Sequence, residues 1–88
     1  MNKERRSEIK KANKILEMAI DLLEQYKEEL NEIQEEEEEA FDNLPENFQD
    51  GIKGDVMQEA IDEIEYNVEE LDDVIKRLNY IKEHLSVL

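Results

Sequence analysis

Residues 9–33 read IKKANKILEMAIDLLEQYKEELNEI. Ile9, Ala12, Leu16, Ala19, Leu23, Tyr26, Leu30 and Ile33 follow one another at steps of three and four in strict alternation. Only a helix gathers that spacing onto one face, and its period of 3.5 is a heptad with Ile9 at position a. No Gly or Pro interrupts the chain between residues 3 and 42. The pattern predicts a helix over 3–42, of which residues 3–40 would span roughly 57 Å at ~1.5 Å per residue.

Working outward, the same steps recur in Met57, Ile61, Ile64, Val68, Leu71, Ile75, Leu78 and Leu85, with Lys82 in the one a position that is not apolar. Ala60, Val74, Ile81 and Leu88 add a g stripe. A second helix is predicted over 55–86. Residues 35–55, EEEEEAFDNLPENFQDGIKGD, join the two. Pro45 pushes Leu44 out of helical geometry, so the first helix should end near Asp42 or Asn43. A loop over 43–54 follows, with room for one helical turn at 45–50 behind its proline. Gly51 and Gly54 flank the expected turn, and Asp55 with Gln58 reads as an N-cap and its return partner. Phe41, Leu44, Phe48 and Ile52 should plug the loop end.

These readings give an all-α chain with a single domain over 1–88, an antiparallel two-helix hairpin with heptad seams. Its apolar face is broader than one seam requires. Ile15 and Leu22 fall at g and Ile20 at e, beside the a residues Leu16, Leu23 and Leu30. Ile64, Leu71 and Leu78 line the second helix, with Val74 and Ile81 alongside. A face of that width needs neighbours on two sides, so two hairpins are expected to pair as a homodimeric four-helix bundle.

Charge is abundant and sorted. The chain has 88 residues, 26 acidic and 11 basic, for a net charge of −15. Residues 1–14 are +4, residues 15–73 are −21 and residues 74–88 are +2, counted from the sequence. In an antiparallel hairpin the two basic segments meet at one end, and the acids coat the shaft and the loop. Such a balance argues against direct nucleic-acid binding or an anionic membrane surface, and for a protein partner with a basic surface. There is no Cys, hence no disulfide and no thiolate chemistry. No apolar run reaches the length of a membrane span or a signal-peptide core, and a cytoplasmic location is expected.

The motifs that would carry chemistry are weak. Glu35, Glu38, Glu59 and Asp62 match the E-x-x-E…E-x-x-D spacing that holds Mg²⁺ in all-α nucleotide pyrophosphatases. The heptad register sets Glu35 at f and Glu38 at b, away from the seam where such ligands must converge. The Asp/Asn/Gly-rich loop lacks the EF-hand positions. His84 neighbours Glu83 but has no Cys or well-placed Ser with which to form a triad. No catalytic residue, metal site or cofactor is therefore assigned. Tyr26 is expected in the core at d, and Tyr66 and Tyr80 on the surface at f.

One segment carries a resemblance. An acidic run is followed by Ala40-Phe41-Asp42-Asn43-Leu44-Pro45-Glu46, then Gln49, Gly54, Met57 and Glu59-Ala60-Ile61-Asp62. It resembles a family of small acidic helical proteins encoded by phages and prophages of Firmicutes, over about a third of the chain. GIKGD stands where those proteins often have a polar S-E-R-G-like stretch. The resemblance implies a helical hairpin and the cytoplasm of an infected host, without an activity. The reading that joins it to the charge map is an interaction protein. It would act as an inhibitor or nucleic-acid mimic that docks on a basic surface of a host defence or phage protein. The candidate contacts are Glu35, Glu36, Glu37, Glu38, Glu39, Asp42, Glu46, Asp50, Glu69, Glu70, Asp72 and Asp73. A structural or assembly coiled coil is the alternative, with a Mg²⁺-dependent pyrophosphatase behind it.

Overall fold

The chain forms three helices and no strand, in a computed structural model that describes residues 1–88. Helix α1 runs from Lys3 to Asp42. Asn2 caps it, its side-chain oxygen accepting the Arg5 N–H at 2.8 Å. Pro45 stands where it must: α1 has ended, and the single-turn helix α2, Glu46–Gln49, starts directly behind it. Helix α3 spans Ile52–Ser86. The molecule is a rod of 68 × 15 × 13 Å.

Helix α3 begins three residues before Asp55. The Asp55 N–H is already bonded to the carbonyl of Gly51 at 3.0 Å, so Asp55 lies inside the first turn and Gly51 is the cap residue. There the Asp55 charge favours the positive end of the helix dipole without capping it. The expected plug at the loop end is half formed. Phe41 and Leu44 are partly buried, whereas Phe48 and Ile52 face solvent.

Helix α3 packs along α1 in the opposite direction, and the polar contacts fix the alignment. Asn13 Nδ2 donates to Ser86 Oγ at 3.2 Å, Lys27 Nζ to Asp72 Oδ1 at 2.8 Å, and Lys82 Nζ lies 4.0 Å from Glu17 Oε1. The paired residue numbers add to 99 each time, so a residue of α1 faces that complement on α3.

On α3 the inward residues are the expected ones from Met57 through Ile61, Ile64, Val68, Leu71 and Ile75 to Leu78, with the Lys82 stem continuing the seam, whereas Leu85, expected with them, is exposed. On α1 the helix is rolled by one position. Leu16, Leu23 and Leu30 face α3 together with the e residues Asn13, Ile20, Lys27, Gln34 and Phe41. The d residues Ala12, Ala19, Tyr26 and Ile33 turn outward, and Tyr26 is 53% exposed rather than in the core. The roll has a reason. It buries Ile20 to 7% exposure in place of two alanines, each of which offers one methyl. It also lets Asn13 and Lys27 satisfy their polar groups against α3. The buried hydrophobic side chains are Ile20, Ile61 and Ile75 alone, and none of them is fully buried, so one seam gives a thin core.

Candidate interaction surface

The 99 alignment sets residues 35–44 of α1 opposite residues 55–64 of α3. Between Glu35 and Glu65 there are thirteen acidic residues and one base, Lys53. None of those carboxylates is in an ion pair, because the three salt bridges of the chain involve Glu17, Glu24 and Asp72. The loop end is thus a concentration of unneutralised negative charge on rigid helices.

The sequence-derived contact residues do not form one patch. Glu35, Glu36, Glu38, Glu39, Asp42, Glu46 and Asp50 lie together and exposed at the loop end, while Glu37 is half-buried at an a position of the seam. Glu69, Glu70 and Asp73 are exposed on the shaft near the level of Lys27, roughly 8–14 Å along the rod from the level of Glu35 at ~1.5 Å per residue. Asp72, beside them, is engaged by Lys27 rather than free. Lys27 also reaches Glu24 at 3.3 Å. The hydrogen bond to Asp72, then that to Glu24, holds the Lys27 ammonium above the ordinary lysine value. The exposed Asp55, Glu59 and Asp62 complete the loop-end cluster and were absent from the sequence-derived set. Laying the two helices antiparallel on paper brings them beside Glu35–Asp42.

The carboxylates of the pyrophosphatase-like spacing do not converge. Glu38 and Asp42 border a shallow recess with Gln58 and Ile61, Asp62 accepts a hydrogen bond from Gln58 at 3.0 Å, and no three acids approach a common point. No protein-family model matches this chain, and no curated protein or solved structure is significantly similar to it. No helix is long and apolar enough to cross a membrane.

The opposite end of the rod is basic. Lys3, Arg6 and Lys10 rim an open recess of about 430 Å³ whose apolar floor is Ile9, Leu85 and Leu88. Nearby His84 stacks on Tyr80 with ring centroids 5.5 Å apart, and Tyr80, like Tyr66, is exposed.

The residues expected to serve both core and dimer divide in two. Leu16, Ile20, Leu23, Leu30, Ile64, Leu71 and Leu78 lie in the α1–α3 seam. Ile15 and Leu22 on α1 are 70% and 64% exposed, and Val74 and Ile81 on α3 are 41% and 46% exposed. They have no neighbour within the chain that covers them.

Proposed function

We propose that this chain is an interaction protein whose acidic loop end docks on a cationic protein surface, one that otherwise holds nucleic acid. The carrying observation is the set of thirteen acids facing Lys53 alone, none of them ion-paired. Carboxylates in rows along two rigid helices imitate a line of phosphates, and their summed field accelerates encounter with a basic groove. The unit that docks is an antiparallel hairpin, paired with a second copy as a four-helix bundle. Its setting is the host cytoplasm during phage infection, and its target a defence or phage protein that handles nucleic acid.

The test is competitive. The chain is mixed with host lysate at near-physiological salt, and captured proteins are assayed for release of bound DNA or RNA as the chain is added. Displacement that is lost when Glu35–Glu39 are replaced by Gln supports the reading. If no captured protein gives up nucleic acid, the mimic reading fails.

A second reading, a structural or assembly coiled coil, is favoured by the uncovered apolar residues Ile15, Leu22, Val74 and Ile81. It predicts species larger than a dimer in sedimentation velocity.

A further inference from the structure

The roll of α1 leaves a second heptad stripe on its outer face. Ala12, Ile15, Ala19, Leu22 and Tyr26 continue the steps of three and four, with Ile33 seven residues on, and all are exposed. By the 99 alignment Val74 and Ile81 sit level with residues 25 and 18 of α1. With α1 rolled so that its a and e residues face α3, Ala12, Ala19 and Tyr26 flank the seam on the same side as the α3 g residues Val74 and Ile81, and Ile15 and Leu22 adjoin them on the outer side. Ile15, Leu22, Val74 and Ile81 thus gather uncovered apolar surface on one face toward the termini, while Phe48, Ile52 and Val56 are exposed separately at the loop end.

We propose that a second copy of the chain occupies this face across a twofold axis perpendicular to the rod near Ala19, so that α1 packs antiparallel on its counterpart. The inference rests on the self-association proposed above and adds its symmetry and register. At the axis Ala19 meets Ala19, and two methyl groups permit a close helix approach. One layer outward Ile15 meets Leu22, and the next brings Ala12 against Tyr26.

Charge selects this arrangement over its rival. A twofold axis along the rod would also superpose the two apolar faces, but with basic end on basic end and acidic loop on acidic loop. The perpendicular axis instead lays residues 3–14 of one copy, which carry six bases, against residues 24–35 of the other, which carry Glu24, Glu28, Glu29, Glu32 and Glu35. Arg5 approaches Glu32 of the second copy. Glu8 falls opposite Glu29 of the second copy, with Arg5 and Lys11 one turn to either side. This pairing gives a use to bases at the start of α1 and acids toward its end, a distribution that opposes the dipole of the isolated helix. Because Ala19 is off-centre in the rod, both acidic loop ends overhang the overlap and stay accessible.

The chain has no cysteine, so single-cysteine variants report the register directly. Ala19→Cys should form a disulfide-linked dimer on mild oxidation, since identical residues meet only at a twofold axis and the bond needs Cα atoms within about 7 Å. Glu46→Cys, on the overhang, should stay unlinked. The unmodified chain should sediment as a dimer, with a maximum dimension by small-angle scattering of about 85 Å against 68 Å for one copy, the offset following from ~1.5 Å per residue. Ile15→Glu with Leu22→Glu should give a monomer of unchanged helicity, both sites being exposed within one chain. A monomeric parent chain overturns the proposal. So does a dimer whose Ala19→Cys variant does not cross-link. A monomer that still displaces nucleic acid would refute the dimer alone, and a cross-linked dimer inert toward cationic proteins would refute the docking function alone.

Discussion

Gly54 lies directly against the backbone of Gln49: a β-carbon at position 54 would come 2.0 Å from the Gln49 carbonyl oxygen and 2.5 Å from its carbonyl carbon. The first turn of α3 and the end of α2 are in contact because residue 54 has no side chain. Glycine within a helix ordinarily costs about 1 kcal/mol relative to alanine. Here the sign reverses. Gly54→Ala should destabilise the chain by about 1–3 kcal/mol, since main-chain atoms must move to make room. Urea denaturation followed by circular dichroism measures it, and a stabilised variant would contradict the contact.

The same Gln49 closes the end of α1. Its Nε2 donates to the carbonyls of Leu44 at 2.9 Å and Phe41 at 3.1 Å, with a longer contact to Asp42 at 3.4 Å. The carbonyls of Asp42 and Leu44 have no main-chain donor at this helix terminus, and that of Phe41 also accepts the Leu44 N–H at 3.0 Å. Gln49→Ala should cost about 1 kcal/mol of stability, the usual net value of such bonds. Gln49→Glu should cost more, about 1–3 kcal/mol, because a carboxylate only accepts and would face other acceptors. Equal stability of the Ala and Glu variants in the same denaturation assay would show that the side chain is not a donor to this turn.

The extent of α1 and the end of α3 were legible because uninterrupted steps of three and four point to helix, and because Pro45 disfavours helical geometry at Leu44. The inward face of α3 was legible for the same reason. The roll of α1 was not. Counting apolar residues ranks Tyr26 and Ala19 above Asn13 and Lys27, yet Asn13 and Lys27 are the residues that α3 engages, through Lys82, Ser86 and Asp72. A polar side chain with a partner 45 or more residues away carries no mark of it in a local pattern. Asp72 was misread for the same reason, as a free carboxylate. The start of α3 was misplaced because Asp55 suits both an N-cap and a first turn, and only the close approach of Gly54 to Gln49 brings the helix start forward to Ile52.

Lys27 predicts a pH signature. Its folded-state value is raised by Asp72 and Glu24, so its proton is held more tightly in the folded chain than in the unfolded one. The stabilisation is then fully present below the ordinary lysine value of about 10.4 and disappears as pH rises through the higher folded value. The pair is part-exposed, with side-chain exposures of 23% and 45%, so the effect is modest and screened by salt. In Lys27→Met the difference in melting temperature from the parent should stay constant through neutral pH and shrink at alkaline pH. A difference unchanged across the alkaline range would assign the role of Lys27 to its aliphatic stem.

Glu39 separates stability from function. It is exposed in the last part of α1, where five successive glutamates end a helix that has no basic residue in its final turn. Negative charge there opposes the helix dipole and repels its own neighbours. Glu39→Lys reverses both effects and sets a lysine four residues after Glu35, the favourable order for a helical ion pair. The variant should gain about 0.5–1 kcal/mol in stability. If the loop-end carboxylates are the docking surface, the same variant should displace nucleic acid from a cationic partner less well than the parent chain. A variant that is more stable and displaces equally well would place the contact elsewhere on the rod, at the shaft acids Glu69, Glu70 and Asp73.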